Sequence, residues 1–217
     1  GGWFSGLGGL GRSRRRLSES GVIAARSHSG IVRFSDRLAA REPQAAAPWP
    51  EARLAAVAAV LRVTEEPELL FIKRADVAHD PWSGHVAFPG GRFEPGDASL
   101  QDTAIRETLE ELALDLHRGH LLGQLDDIAP RSRALPPIIM RPYVALVAPD
   151  VEFQPSREVA AWFWAPLSTL RATQAQVEHE VSVNGVSARF PAYGVQGHVV
   201  WGLTERIVRQ LLSLFDE

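Results

Sequence analysis

Arg106, Glu107, Glu110 and Glu111 crowd one cation and three carboxylates into a short stretch of chain. At about 100° per residue, the three glutamates fall on one side of a helix, nearly opposite a stripe formed by Ile105, Leu109 and Leu112. Such an acidic side is either a plain solvated face or a binding site. Energetics favour the site. Like charges at i,i+3 and i,i+4 each cost roughly 0.2–0.5 kcal/mol, and Arg106 is the one cation along the helix near enough to offset them. Clustered carboxylates of this kind suit a hard divalent cation such as Mg²⁺ or Mn²⁺. Ahead of them, Gly90-Gly91 allows a close backbone approach and can turn a carbonyl toward the same ion.

These side chains need a frame. A helix over residues 99–114 is expected, capped by Asp97 or Ser99, with Asp102 completing a short-armed capping box. Leu54–Val63 is ambiguous between buried strand and helix. Leu69–Lys73 reads as a strand, making a hairpin with it around Glu65-Glu66-Pro67. Val86–Phe88, Leu121–Leu125, Tyr143–Ala148 and Ala161–Trp164 are short strand candidates. Leu167–Ala172 reads as a short helix and Val199–Phe215 as a long amphipathic one. Strands interleaved with helices make an α/β or α+β domain. Upstream, residues 1–50 read as an Arg/Gly-rich arm and linker with a short helix at Ser35–Arg41. The domain proper spans 51–217, and a chain beginning near Pro48 is expected to keep its stability.

Composition narrows the function classes. The 217 residues are 45% hydrophobic and include no cysteine, which excludes disulfide scaffolds, cysteine-ligated zinc and thiol nucleophiles. No apolar run is long enough for a membrane span. The net charge of −3 gives no reason to expect a nucleic-acid partner. The charge is uneven: residues 1–41 hold eight Arg against Glu19 and Asp36. That arm is a solvated terminus or an organelle address; otherwise a cytoplasmic location is expected. A homodimer is left open.

From Gly91-Arg-Phe-Glu-Pro-Gly-Asp97 through Arg106-Glu-Thr-Leu-Glu-Glu-Leu-Ala-Leu114, the chain resembles the Nudix box, G-x5-E-x7-R-E-U-x-E-E-x-G-U, where U is apolar. Asp97 stands for the usual Glu, one extra residue follows it, Thr108 fills an apolar position and Ala113 replaces Gly. Leu69–Ala75, Gly84–Gly91, Leu125-Asp126-Asp127, Arg141–Val144 and Trp201-Gly-Leu-Thr204 are similar to segments of the coenzyme A pyrophosphatase branch. Residues 76–83 lack that branch's Arg.

The resemblance implies an α/β/α sandwich on a mixed sheet, with Leu54–Val63 as a strand. It implies a metal-dependent pyrophosphohydrolase for a small nucleotide-type substrate, coenzyme A or a relative. Nucleoside triphosphates, ADP-ribose, or a non-catalytic nucleotide-sensing domain are the alternatives. Glu107, Glu110 and Glu111, with the Gly90 carbonyl, would bind the Mg²⁺ or Mn²⁺, and Arg106 would orient them by pairing with Asp97 or Glu94.

Other residues are candidates on their own chemistry. Arg74, Arg92, Arg131 and Arg133 could meet phosphate, and Trp82 could stack on a base. A box glutamate, Glu158, Glu178 or Glu180 could act as base, His179 and His198 as acid–base groups, and Asp126-Asp127 could approach the metals or cap a turn. Trp162, Trp164 and Trp201 read as core.

Overall fold

The computed structural model describes residues 19–78, 82–130, 137–183 and 186–216. Its axis is β1 (Arg53–Val63), whose Ala56, Ala58 and Val60 bury toward one face while Val57, Ala59 and Leu61 bury toward the other. A strand covered on both sides has no polar face to alternate with, hence the continuous apolar run. β1 runs parallel to β6 (Ile138–Leu146) along its length. Its other side pairs antiparallel with β2 (Pro67–Arg74) at one end and β4 (Gly90–Arg92) at the other. β3 (Val86–Ala87) and β7 (Val159–Pro166) flank β2, and β5 (His120–Gln124) flanks β6, giving a mixed seven-stranded sheet.

One face is covered by α3 (Leu100–Leu112) through Ala104, Ile105 and Leu112. The other is covered by α2 (Ser29–Ala39) and α5 (Leu203–Asp216) through Ile31, Phe34, Leu38, Ile207, Val208 and Leu211. The fold is therefore the expected α/β/α sandwich, completed by α1 (helical over 19–26) and α4 (Leu167–Arg171). No helix among the described residues is long and apolar enough to cross a membrane.

Three expectations change. First, residues 19–46 are built into the body. Phe34 is fully buried and stacks on Phe215 at 4.3 Å, and Arg37 donates to the Leu214 carbonyl at 2.9 Å. The extended stretch that follows α2 is clasped by Asp126 and Asp127, which accept from the Gln44 and Ala46 N–H groups at 2.8 and 3.0 Å. Arg41 pairs with Asp126, and Arg141 holds Asp127 with two bonds at 2.8 and 2.9 Å. These two aspartates thus tie down the arm. Residues 1–18, including Arg12–Arg16, lie outside the described residues.

Second, β8 (Gln176–Val183), β9 (Val186–Val195) and β10 (His198–Trp201) form a separate antiparallel sheet. Val199–Trp201 is strand rather than helix; α5 starts only after Gly202, whose φ of +70° breaks the strand. Third, Trp162 is 43% exposed and Trp201 is half-buried, so only Trp164 of the three is core.

Candidate active site

Ser99 caps α3 by accepting from the Asp102 N–H at 3.2 Å, while its hydroxyl donates to Asp102 Oδ2 at 2.7 Å. The helix stops at Ala113, held left-handed at φ 53° where the box has glycine. Its buried side is rotated from the expected stripe: Thr108 and Glu111 are buried, and Leu109 is 47% exposed. Thr108 tolerates this because its hydroxyl donates to the Ala104 carbonyl at 2.7 Å. The rotation turns Glu111 inward, at 3% exposure, toward the Gly-Gly turn.

That turn requires glycine twice, for different reasons. Gly90 has φ +153°, and a Cβ there would lie 2.3 Å from the Ala56 carbonyl oxygen. A Cβ on Gly91 would lie 2.3 Å from Glu107 Oε1. Gly90→Ala should therefore destabilise the protein by several kcal/mol, since backbone cannot yield. Gly91→Ala should unfold at nearly the wild-type temperature yet lose activity, because the side chain that must move is Glu107. Paired thermal melts and turnover measurements check both.

Arg106 organises the loop against the helix. Its Nε and Nη2 donate to the two Asp97 carboxylate oxygens at 2.8 and 3.0 Å, and Nη2 also reaches the Arg92 carbonyl at 3.1 Å. Nη1 reaches Glu107 Oε1 at 3.0 Å and Glu110 Oε2 at 3.3 Å. Asp97 further accepts from the Glu94 N–H and the Thr103 hydroxyl. The Arg106 bonds, aided by these two, hold its carboxyl well below the usual carboxylate range. Of the two partners expected for Arg106, Asp97 is the one it takes.

Burial pushes Glu107 upward, opposed by Arg106 and reinforced by Glu110 and Glu158. Burial likewise pushes Glu111 up to about 7, against the Gly90 N–H, which donates to its Oε2 at 2.9 Å, and against the Arg74 charge. Glu107 and Glu158 push it the same way as burial. Arg74, Glu107, Glu111 and Glu158 thus share one electrostatic environment. Glu158 is delivered there by a strap: the Gln154 and Ser156 N–H groups donate to the Leu112 and Glu111 carbonyls at the end of α3, at 2.9 and 2.7 Å. The Glu158 carbonyl then accepts from Ala75 N–H at 2.8 Å.

A carboxyl raised in the folded state stabilises that state below its unfolded pKa and loses the contribution as pH rises through its folded one. In the presence of EDTA, stability should consequently fall between pH 5 and pH 8, and Glu111→Gln should flatten that slope. Urea midpoints across that range provide the measurement.

The remaining candidates divide. The Glu110 side chain is 59% exposed and bonds to Arg106. Arg92 contributes its carbonyl to Arg106 while its side chain lies at the surface. Trp82 is half-buried and accepts through its carbonyl from the His85 N–H at 3.2 Å. Glu178 and Glu180 face Arg189 across β8 and β9, and His198 stacks on Phe163 at 4.7 Å. These three therefore have structural partners. Arg131 and Arg133 lie outside the described residues. The sequence reading missed the Gln154–Ser156 strap, whose backbone donors leave no side-chain signal, and a ring cluster around Trp201.

Comparison with known proteins agrees with this geometry. A model of the NUDIX domain matches residues 52–184. The chain is 31% identical over 193 residues to the "Uncharacterized Nudix hydrolase NudL" of Yersinia enterocolitica, covering 88% of this chain and 96% of that protein. It is 34% identical over 160 residues to NudL of Yersinia pestis strain Pestoides F, covering 73% and 78%. A MutT/nudix family protein from Enterococcus faecalis superposes with a TM-score of 0.56 at 15% identity, over 99% of this chain and 76% of that one, a likeness of fold. With the box residues gathered on one loop–helix unit and the family model spanning it, the chain belongs to the Nudix hydrolase family.

Proposed function

We propose that this Nudix hydrolase is a divalent-metal-dependent pyrophosphohydrolase whose substrate is coenzyme A or an acyl derivative. The observation that carries the proposal is that Glu111 accepts from the Gly90 N–H at 2.9 Å while Glu107, held by Arg106 at 3.0 Å, lies against Gly91. Among the described residues no three carboxylate or imidazole groups stand as a ready-made cation cage. The donor chemistry nonetheless fits a hard cation. The oxygens are all carboxylate or carbonyl, and the raised Glu107 and Glu111 are groups whose charged form a neighbouring positive ion restores.

Glu107, Glu110, Glu111 and the Gly90 carbonyl would hold Mg²⁺ or Mn²⁺. When bound, such an ion neutralises phosphate charge and lowers the pKa of a nearby water. The chain's own groups do the rest. Arg106 fixes the orientation of Glu107 against Asp97. Arg74 would offer a guanidinium to the substrate's phosphates, and Glu158 would accept the proton of the attacking water.

The substrate assignment draws support from how the branch-like segments meet. Arg74 N–H donates to the His85 carbonyl at 3.0 Å, and the Thr204 hydroxyl donates to the Val86 carbonyl at 3.1 Å. The Leu69–Ala75, Gly84–Gly91 and Trp201–Thr204 segments, distant in sequence, thus form one wall beside Arg74.

The test compares coenzyme A with dephospho-coenzyme A, ADP-ribose, NADH and nucleoside triphosphates at equal concentration, with products identified by mass spectrometry. Coenzyme A should yield 3′,5′-ADP and 4′-phosphopantetheine, with turnover lost in EDTA and restored by Mg²⁺ or Mn²⁺. A tenfold higher kcat/KM for a triphosphate or ADP-ribose, about 1.4 kcal/mol, would overturn the coenzyme A assignment. Nucleotide binding without turnover on any substrate would favour the sensing domain instead.

A further inference from the structure

A cluster of four rings centred on Trp201 adjoins the strand end that carries Arg74. His85 meets Trp201 at 5.0 Å between ring centroids, Trp201 meets His179 at 4.8 Å, and Phe190 stands 6.1 Å from Trp201. None is core: the first three are half-buried and Phe190 is 42% exposed. His179 and Phe190 are directly paired across β8 and β9, and Trp201 of β10 pairs with Ala192 of β9, so all three share one face of the small sheet. The opposite face places Tyr193, Val195 and Val200 in the main core. Alternation also sends Glu178 and Glu180 to that opposite face, where they meet Arg189, and this keeps β8's two carboxylates off the ring face.

The cluster is anchored by the bonds that join Arg74 to His85 and Thr204 to Val86. The three neighbours are tilted 57°, 44° and 40° to Trp201, which leaves a partly solvent-facing aromatic cluster whose ring faces point in several directions. Beside a set of anion-handling residues it suits the flat part of an anionic ligand.

We propose that the cluster of His85, His179 and Phe190 around Trp201 is the subsite on which the nucleobase of the substrate stacks, while its phosphates lie at Arg74 and the α3 carboxylates. This rests on the nucleotide reading given above and assigns the base end of the ligand. Stacking on an open ring face is tolerant of base identity, and the two imidazoles add nitrogen groups that can meet a base edge.

Equilibrium dialysis of the full chain in Mg²⁺, with ADP and with inorganic pyrophosphate as separate probes, tests it. His179→Ala, Phe190→Ala and Trp201→Ala should each weaken ADP binding by about fivefold or more while pyrophosphate changes less than about twofold, and Trp201→Phe should retain most ADP affinity. His179 and Phe190 sit on a strand surface, so their variants keep the test informative if Trp201→Ala fails to fold. Unchanged ADP binding in all three, or equal loss for ADP and pyrophosphate, overturns the subsite. Failure of the unmodified chain to bind ADP overturns the nucleotide reading with it. Normal hydrolysis of nucleotide substrates alongside unchanged ADP binding in the variants overturns the subsite alone.

Discussion

Glu107→Gln and Glu111→Gln should each lower kcat/KM by on the order of 10²–10³-fold or more without unfolding the protein. Glu107 is held by Arg106 at 3.0 Å and lies against Gly91, so its carboxylate is presented in one fixed place. Glu111 is more deeply set, with its Oε2 on the Gly90 N–H. A glutamine there keeps a carbonyl oxygen for the same N–H and removes a charge that burial and two neighbouring carboxylates disfavour. Thermal stability of Glu111→Gln should therefore match or exceed wild type above pH 7, even as activity collapses. Glu110→Gln should have a smaller effect, since that side chain is mostly exposed. Circular-dichroism melts set beside steady-state kinetics separate the two quantities. Full turnover in either Glu107→Gln or Glu111→Gln would remove the carboxylates from the site.

The site was more legible than the frame around it. Glu107, Glu110 and Glu111 announce themselves by repulsion that an ordinary helix face would avoid, while Arg106's pairing was implied only by the resemblance, which left Asp97 and Glu94 open. Even there the helix's rotation was hidden from hydrophobic periodicity, although the box pattern marks position 108 as apolar. Leu109 is apolar and Thr108 is not, yet Thr108 is buried because its hydroxyl finds the Ala104 carbonyl inside the helix itself. Hydrophobic periodicity has no way to register a polar group satisfied by its own backbone. The small second sheet was written in the period-2 alternation of Val177, His179 and Val181, but the charged residues between them resemble an exposed loop. Its apolar core contacts come from β9 and β10, strands that β8 must first pair with. Asp126 and Asp127 read as a pair that could approach the metals or cap a turn, and they do neither of these alone. Their partners, Arg41, Gln44, Ala46 and Arg141, come from distant or unrelated positions that no local pattern connects.

A chain starting at Pro48 should be insoluble or lack a cooperative unfolding transition, the reverse of what the composition of the first 50 residues suggests. α2 has five apolar residues in eleven, and three of them, Ile31, Phe34 and Leu38, are placed on one side and buried. Removing them uncovers the sheet face that Val57, Ala59 and Leu61 share with α5, leaves Phe215 without its stacking partner, and strips Asp126 and Asp127 of the backbone donors at Gln44 and Ala46. Deleting Phe34 alone, as Phe34→Ala, should cost about 3–5 kcal/mol. A domain of this size has roughly 5–15 kcal/mol in all, so loss of the whole α1–α2 segment exceeds what the remaining core can absorb. Urea unfolding of Phe34→Ala gives the first number, and solubility with light scattering of the shortened chain gives the second. Because α2 lies across the sheet from α3, Phe34→Ala should leave KM and kcat near wild type at low temperature while its unfolding midpoint falls. A midpoint for the shortened chain close to that of the full one would show instead that the sheet holds its α5 face closed without α2.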